Sequence, residues 1–401
     1  MDRTQVGIVG AGPAGLLLSH LLDRARVRSV VLESRSRAYV EQRIRAGVLE
    51  DGTRQILLRA GVGDRMMRQG LVHNGVNLAV EGRLHHLDFP ALTGGHTIIV
   101  YGQQEVVKDL IRARLAAGGD VRFEAEAVAI EGIEEGPTIV YRRPDGTVER
   151  LACDFVAGCD GSHSLAREAV PAAARTVYQR AYPSAWLGIL AETPPASHEL
   201  IYVHHPRGFA LFSMRSPTLS RNYLQVRAEE SLDDWPDDRI WAELALRLDS
   251  VATIRPGPVR ERTLAVLHSL VVEPMQYGRL FLAGDAAHVV PPTGAKGLNL
   301  AVCDVVVLAD ALIAYYRRGD DQGLQGYTAA CLQHVWQAEH FSWWMTNLLH
   351  RLEDPFEDRL QRAHLRALLR SEAARRYLAE NYVGLHTSGR YVDRLPPAGA
   401  R

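Results

Sequence analysis

The sequence predicts an interleaved α/β fold: a parallel-sheet domain that opens the chain, an antiparallel β-sheet inserted into it, and a helical region at the end. Three observations carry this expectation. Residues 5–9 form an apolar strand pattern that runs into Gly10-Ala11-Gly12-Pro13-Ala14-Gly15, a helical pattern through Leu16, Leu17, Leu18 and Leu21 follows, and a second strand at 29–32 ends in Glu33. Residues 186–227 read as antiparallel strands with turn signals at Thr193-Pro194-Pro195 and His205-Pro206-Arg207-Gly208. From Asp304 onward the periodicity is almost wholly helical.

The opening unit has every part of a dinucleotide-binding βαβ turn. Its glycines permit a tight turn and a close approach of backbone to pyrophosphate, and the helix N-terminus faces that anion. Glu33 stands at the distance of the acid that holds a ribose hydroxyl. Gly10, Gly12, Gly15 and Glu33 are therefore candidate cofactor-binding residues. Helices are then expected at 55–69 and 104–117, and strands at 121–123, 138–142 and 155–158, the last running into Cys159-Asp160-Gly161. This mixed order argues against a simple doubly wound domain and for interleaved ones.

A second unusual segment, GDAAHVVPPTGAKGLNLA at 284–301, follows the apolar run 280–283. Its Gly-Asp pair places a carboxylate at a strand's C-terminal end, where open α/β sheets bind ligands. Pro291, Pro292, Gly294 and Gly297 hold off regular helix until about Leu298, which leaves backbone N–H groups free to face an anionic ring or phosphate. The segment reads as a flavin site.

Composition narrows the partners. With 401 residues, 47% of them hydrophobic, the chain can bury a large core in two or three domains. Forty-six basic residues against 47 acidic ones leave no net field for nucleic acid or an anionic membrane, so small molecules are the expected partners. Met1-Asp2-Arg3-Thr4 runs straight into the first strand without a signal-peptide pattern, and no apolar run reads as membrane-spanning. Cys153, Cys159, Cys303 and Cys331 lack zinc-ligand or paired-thiol spacing, so no metal is expected and a reduced, cytoplasmic setting is. The stretch 339–352, with Phe341, Trp343, Trp344, Met345, Leu348 and Leu349, reads as packing and as a candidate homodimer face. The tail after Leu395 is expected to fray.

Within the antiparallel region, period-two alternation puts Leu211, Ser213 and Arg215 on one face, Tyr223 and Gln225 on another shared face, and Leu200 with Tyr202 likewise. An Arg beside Ser and Tyr hydroxyls makes a carboxylate receptor, because guanidinium grips both oxygens in a fork. By spacing alone, a solvated face with an ordinary salt bridge is the simpler account.

The fingerprint at 10–15, the Asp160-Gly161-Ser162-His163-Ser164 segment with Arg167, and the Gly284-Asp285 loop together resemble the group A flavoprotein aromatic hydroxylases. The resemblance covers essentially the whole chain and includes RIRAGVLE at 43–50, VYGQQEV at 100–106, SHELIYVHHPRGFAL at 197–211, VVEPMQYGRLFLAGDAAH at 271–288 and AENYVGL at 379–385. It implies a Rossmann-like FAD-binding domain at 1–72, 98–180 and 268–315, a substrate-binding sheet domain at 73–97 and 181–267, and a C-terminal helical interface region at 316–401. It also implies non-covalent FAD, NADH or NADPH and O₂ as co-substrates, and hydroxylation of 4-hydroxybenzoate at the 3-position.

Carried over residue by residue, the resemblance implies that Arg215, Ser213 and Tyr223 hold the substrate carboxylate. Tyr202 would meet the substrate phenol and Tyr382, with His73 as the exit toward solvent. Pro292 would offer its carbonyl to the new hydroxyl. Arg45, Gln103, Asp285, Leu298, Asn299 and Glu33 would contact FAD, Asp160 would stand at its loop, and Arg43, His163 and Arg167 would handle nicotinamide cofactor and flavin. A phenol with pKa near 10 is ionised about one part in a thousand at neutral pH, so a proton exit is needed, and a histidine titrating near neutrality suits its end. Lys296 reads either as a source of positive field beside the flavin or as a solvated lysine.

The chain departs from the family pattern in two places. Arg35 and Arg37 could bind a 2′-phosphate, yet Glu41 opposes them and Ser34 replaces a basic residue. His268 stands where an arginine commonly helps hold the cofactor's phosphates. Both changes point to NADH, alone or beside NADPH. The rival readings are a hydroxylase for another para-substituted benzoate such as the 4-amino analogue, a flavin oxidase yielding only H₂O₂, and a non-catalytic binding module.

Overall fold

The computed structural model describes residues 2–45 and 47–395, so the expectation for the tail after Leu395 lies outside the described residues. Two eight-stranded sheets and one three-stranded sheet carry the fold. In the first, strands Asp2–Val9, Ser29–Leu32, Val148–Gly158, Leu280–Leu282 and Asp120–Arg122 run parallel. An antiparallel pair, Glu126–Glu131 and Thr138–Arg142, extends it from Val148–Gly158. The inner segments 6–9, 30–32, 155–158 and 280–282 are buried and apolar, as expected where helices cover both faces.

Register explains the position of the site. Val9 pairs with Leu32 and with Gly158, and Gly158 pairs with Leu282. The residues that follow these four, Gly10, Glu33, Cys159 and Ala283, therefore emerge side by side at one edge. Helix Pro13–Arg24 starts there with Pro at its first position, and Gly94 and Gly384 close other helices in the left-handed conformation.

The second sheet runs His288–Val289, Val259–Glu273, Thr176–Ala191, Leu219–Arg227, Ala210–Ser216, Ile201–His204, Gly75–Val80, Arg83–Asp88. All its pairings are antiparallel except Ile201–His204 with Gly75–Val80, which is parallel. Its edge strand His288–Val289 comes directly from the Gly284 loop, so the loop is clamped between the two sheets. Strands Thr176–Ala191 and Val259–Glu273 both run across the expected domain boundaries at 180/181 and 267/268, and their pairing shifts register there, between Ala181 and Ala185.

Two expectations from the sequence need correction. The helix expected at 55–69 is two, Asp51–Arg59 and Asp64–Gln69, because Gly61 takes φ 78° and Gly63 caps the second. Helix Gly297–Arg318 is long and apolar enough to cross a membrane by composition, against the reading that no run qualifies. That helix is spent inside the protein: Ala301, Val302, Val305, Val306, Leu308 and Leu312 are buried in the main core. Of the stretch 339–352, residues 339–349 fall in helix Tyr327–Leu349, where Phe341, Met345, Leu348 and Leu349 are buried and Trp343 is exposed.

Candidate active site

The three fingerprint glycines have separate steric situations. A Cβ at Gly10, whose φ is 103°, would sit 2.3 Å from the Cys159 carbonyl, and one at Gly15 would sit 2.0 Å from that of Gly10. A Cβ at Gly12 would meet nothing within 4 Å. Gly10 and Gly15 therefore let the turn and the helix pack, while Gly12 borders open space at a helix N-terminus. That is the steric form of a pyrophosphate cradle. Glu33 is held by its own neighbourhood, accepting from Ala11 N at 2.8 Å and Arg35 N at 2.9 Å. Gly297, at the start of the second loop's helix, also has no neighbour within 4 Å of its Cβ position. These open, donor-lined turns fit an FAD dinucleotide.

Other expected cofactor residues brace the loops. Asp160 accepts from Ser164 Oγ at 2.5 Å and Ala166 N at 3.0 Å. Buried Arg167 donates to the carbonyls of Ser162 and Ala286, tying the 160–164 turn to the Gly284 loop. Asn299 accepts from Glu50 N at 3.0 Å and donates to the carbonyls of Val48 and Ala295. Arg45 and Asp285 form a half-exposed pair at 3.5 Å across the cleft. Gln103 opens helix Gln103–Ala116, Leu298 is half-buried, and Arg43 and His163 are exposed. Burial and the neighbouring Arg45 lower the pKa of Arg43.

Lys296 is not solvated. It is 2% exposed, ion-paired with Glu50, hydrogen-bonded to the Asn381 carbonyl, and 4.9 Å over the Phe341 ring. Glu50 in turn accepts from Thr387 and Ser388. The solvated alternative fails because the helix start folds this side chain inward against the 381–388 segment. Nothing near Lys296 in the sequence points to Glu50 as its partner.

The antiparallel sheet assembles the candidate substrate receptor. Tyr202 lies opposite Leu211, and Leu211 opposite Tyr223, while Ser213 lies opposite Arg221. Gly188, opposite Tyr223, leaves room for that ring, since a Cβ there would come within 3.2 Å of it. Arg215 sits at a register shift after Met214, its Nε buried without a partner and one amino group on the Met214 carbonyl. Burial lowers its pKa and the Tyr223 phenol beside it acts the other way. An unsatisfied guanidinium N–H of this kind is a seat for an anion. Ser213 spends its hydrogen on the Arg221 carbonyl at 2.7 Å. Arg221, overlooked in the sequence, is buried, 5.4 Å over the Tyr223 ring, and bound to Thr263 and Glu261.

The hydroxyls of Tyr202 and Tyr382 are 2.5 Å apart, with Tyr202 also 3.4 Å from the Thr293 carbonyl. Burial raises the pKa of both phenols, so both stay protonated and can only pass a hydrogen along. Pro292 is exposed in the turn Pro292–Gly294, where its carbonyl accepts from Ala295 N and keeps a second lone pair. His73 departs from expectation. It is 1% exposed, neither ring nitrogen has a hydrogen-bond partner, and burial pulls its pKa down to about 4. It is therefore a neutral, buried imidazole, and no hydrogen bond joins it to Tyr382 among the described residues.

A further buried network escaped the sequence reading. Asp304 accepts from Gly284 N at 2.9 Å, His288 Nε2 at 2.6 Å and His334 Nε2 at 2.8 Å, and His334 reaches Tyr391. A lone carboxylate in the apolar run 300–309 was its only trace. It pins both ends of the turn that presents Asp285.

The FAD binding domain family model matches residues 3–342. The chain is 47% identical over 400 residues to p-hydroxybenzoate hydroxylase of Acinetobacter baylyi, covering 99% of each. It is 28% identical over 326 residues to 12-dehydrotetracycline 5-monooxygenase/anhydrotetracycline 6-monooxygenase of Streptomyces rimosus, covering 76% of this chain and 62% of that one. The structure of p-nitrophenol 4-monooxygenase from Pseudomonas putida shares the fold, with TM-score 0.81 at 22% identity over 96% of this chain and 99% of that one. The cradle, the two-sheet clamp and this full-length similarity together show that the chain belongs to the FAD-binding domain family, among the flavoprotein aromatic hydroxylases.

Proposed function

We propose that this enzyme hydroxylates 4-hydroxybenzoate at the 3-position, taking NAD(P)H and O₂ and giving 3,4-dihydroxybenzoate, NAD(P)⁺ and water. One oxygen atom enters the ring and the other leaves as water, with two electrons from the nicotinamide. The observation that carries the reading is an unsatisfied Arg215 on the same sheet as Tyr202, whose hydroxyl pairs with that of Tyr382 from helix Glu372–Val383. The full-length similarity to p-hydroxybenzoate hydroxylase supports it.

Bound FAD supplies the redox chemistry, accepting hydride and activating O₂. The chain's own residues bind and orient. Arg215 takes the substrate carboxylate, with Tyr223 beside it, and Tyr202 Oη takes the phenol hydrogen and gives its own to Tyr382 Oη, which releases its hydrogen to water when the interior opens. This relay favours phenolate character, which directs electrophilic oxygen to the adjacent carbon. The Pro292 carbonyl, with a lone pair left beyond its bond from Ala295 N, would accept from the new hydroxyl. Gly10, Gly12, Gly15 and Glu33 hold the dinucleotide, while Asp285, Arg45, Asn299 and Lys296 frame the ring. His73 takes protons onward only when the interior opens to water, since in this arrangement both nitrogens are sealed.

NADH is the preferred coenzyme in this reading, because Arg37 is already paired with Glu41 at 2.7 Å and Arg35 lies over Tyr39. A cytoplasmic homodimer, with residues 1–72, 98–180 and 268–315 around FAD, 73–97 and 181–267 around substrate, and 316–401 at the interface, completes the proposal. Purified holoenzyme mixed with 4-hydroxybenzoate and NADH in air tests it. Near-stoichiometric 3,4-dihydroxybenzoate is expected, and NADH oxidation that yields only H₂O₂ would assign the protein to the oxidases instead.

A further inference from the structure

The last turns of helix Tyr327–Leu349 meet the flavin loop on one side and the substrate sheet on the other. At the loop, the turn Pro292–Gly294 lies directly on the helix: a Cβ at Gly294 would sit 2.7 Å from Ser342 Oγ and 3.1 Å from Ser342 Cα. Just beyond, Thr346 Oγ1 is 2.7 Å from the Ser342 carbonyl and 2.9 Å from Thr293 Oγ1. A carbonyl only accepts, so the Thr346 hydrogen goes to Ser342 and the Thr293 hydroxyl donates to Thr346. The Thr293 carbonyl, on that same turn, is the group 3.4 Å from the Tyr202 hydroxyl. That length is at the limit of a hydrogen bond, so a small displacement of the turn makes or breaks it.

His350 ends the helix and faces the sheet. Its Nε2 lies 2.6 Å from Trp186 Nε1, and its Nδ1 lies 3.0 Å from the Thr346 carbonyl. An indole N–H only donates, so Nε2 accepts and Nδ1 carries its hydrogen toward Thr346. Burial pulls the His350 pKa down to about 3, which leaves the Nε2 lone pair free for the indole. The indole held in this way stacks on Phe209 at 5.2 Å and lies 4.9 Å from the Tyr223 ring, the phenol beside Arg215. Trp186 also pairs with Gln225 across the ladder, and the Gln225 amide holds both the N–H and the carbonyl of Arg351, at 2.9 and 3.2 Å. The helix end is thus fastened to the receptor strands. Thr293, Thr346 and His350 are each no more than 3% exposed, so these contacts are complete within one chain whatever covers the outer face of the helix.

We propose that Thr346 and His350 are positioning residues that set the two ends of the substrate site against each other. Thr346 holds the Thr293 carbonyl at the Tyr202 hydroxyl, and His350 holds the Trp186 ring against Tyr223 at the carboxylate receptor. Both roles rest on the 3-hydroxylation proposed above. The Thr346 bond governs the share of NADH oxidation that ends in product, and the His350 bond governs how tightly the acid is held.

Holoenzyme variants lacking each bond separate the two roles. Thr346→Val keeps the shape and removes the hydroxyl. Product formed per NADH oxidised should fall at least threefold, with the KM for 4-hydroxybenzoate within twofold of wild type, and Thr346→Ser should restore coupling. His350→Leu should raise that KM at least fivefold with coupling within twofold, and His350→Gln, whose Oε1 accepts in place of Nε2, should restore it. Where either variant fails to fold, Thr293→Val and Trp186→Phe remove the same bonds from the other side and carry the same expectations. A purely structural role would move both readouts together, with flavin content. Losses that run in parallel, or readouts that all stay within twofold, overturn the assignment while the wild type still makes 3,4-dihydroxybenzoate. A wild type that makes none overturns the reaction and the two roles with it.

Discussion

The Tyr202 and Tyr382 hydroxyls, 2.5 Å apart and 180 residues apart in sequence, join a strand of the substrate sheet to helix Glu372–Val383. Since burial keeps both phenols protonated, their value is in passing a hydrogen and not in ionising. Tyr202→Phe removes the first hydroxyl while keeping the ring contacts. We predict product formation down by about 10²-fold or more, the usual scale for a lost proton-transfer group, with NADH oxidation continuing and H₂O₂ accumulating. Peroxide assay beside product chromatography checks this.

Arg215→Ala removes the one guanidinium with a free buried Nε at the receptor. Loss of a charge-assisted partner on the order of 3 kcal/mol predicts a substrate KM raised by about 10²-fold, with flavin content unchanged. Steady-state kinetics with a flavin absorbance spectrum separates the two.

The glycine geometry predicts two different phenotypes from one added methyl. Gly12→Ala meets no protein atom within 4 Å, so the apoprotein should fold normally and bind FAD at least tenfold more weakly. Gly10→Ala or Gly15→Ala drives a Cβ to 2.3 or 2.0 Å from backbone carbonyls and should lower the apoprotein melting temperature. Thermal melts of apoprotein and FAD titration distinguish them.

His73 links stability to pH. Its folded pKa of about 4 lies below the ordinary 6.5, so the unfolded chain binds more protons between these values, and the stability it contributes is full above 6.5 and lost as pH falls toward 4. By about pH 5 the loss amounts to roughly 2 kcal/mol. Urea unfolding of wild type and His73→Gln at pH 7.5 and pH 5 should show the wild type losing that much more.

Coenzyme choice is tested at the Arg37 pair. Glu41→Gln frees Arg37 from its 2.7 Å partner and should raise kcat/KM for NADPH severalfold while leaving NADH nearly unchanged. A wild type that already strongly favours NADPH contradicts the coenzyme reading.

The dinucleotide turn was legible because its requirements are local: strand, glycines, helix and acid within 33 residues. The Tyr202, Ser213 and Tyr223 face was legible because strand alternation has period two. Lys296 and Glu50 were not, since their pairing spans 246 residues and depends on how the 381–388 segment closes over the loop. His73 looked like a titrating group because sequence does not report burial. Asp304 was hidden in an apolar helix, although a single carboxylate among valines is a signal that buried partners such as His288 and His334 must exist.

The central claim is oxygen transfer from O₂ to the phenol. Turnover of 4-hydroxybenzoate under isotopically heavy O₂, followed by mass spectrometry, tests it most directly. The structure predicts 3,4-dihydroxybenzoate carrying one heavy oxygen atom. Unlabelled product, or heavy H₂O₂ with the substrate unchanged, would contradict it.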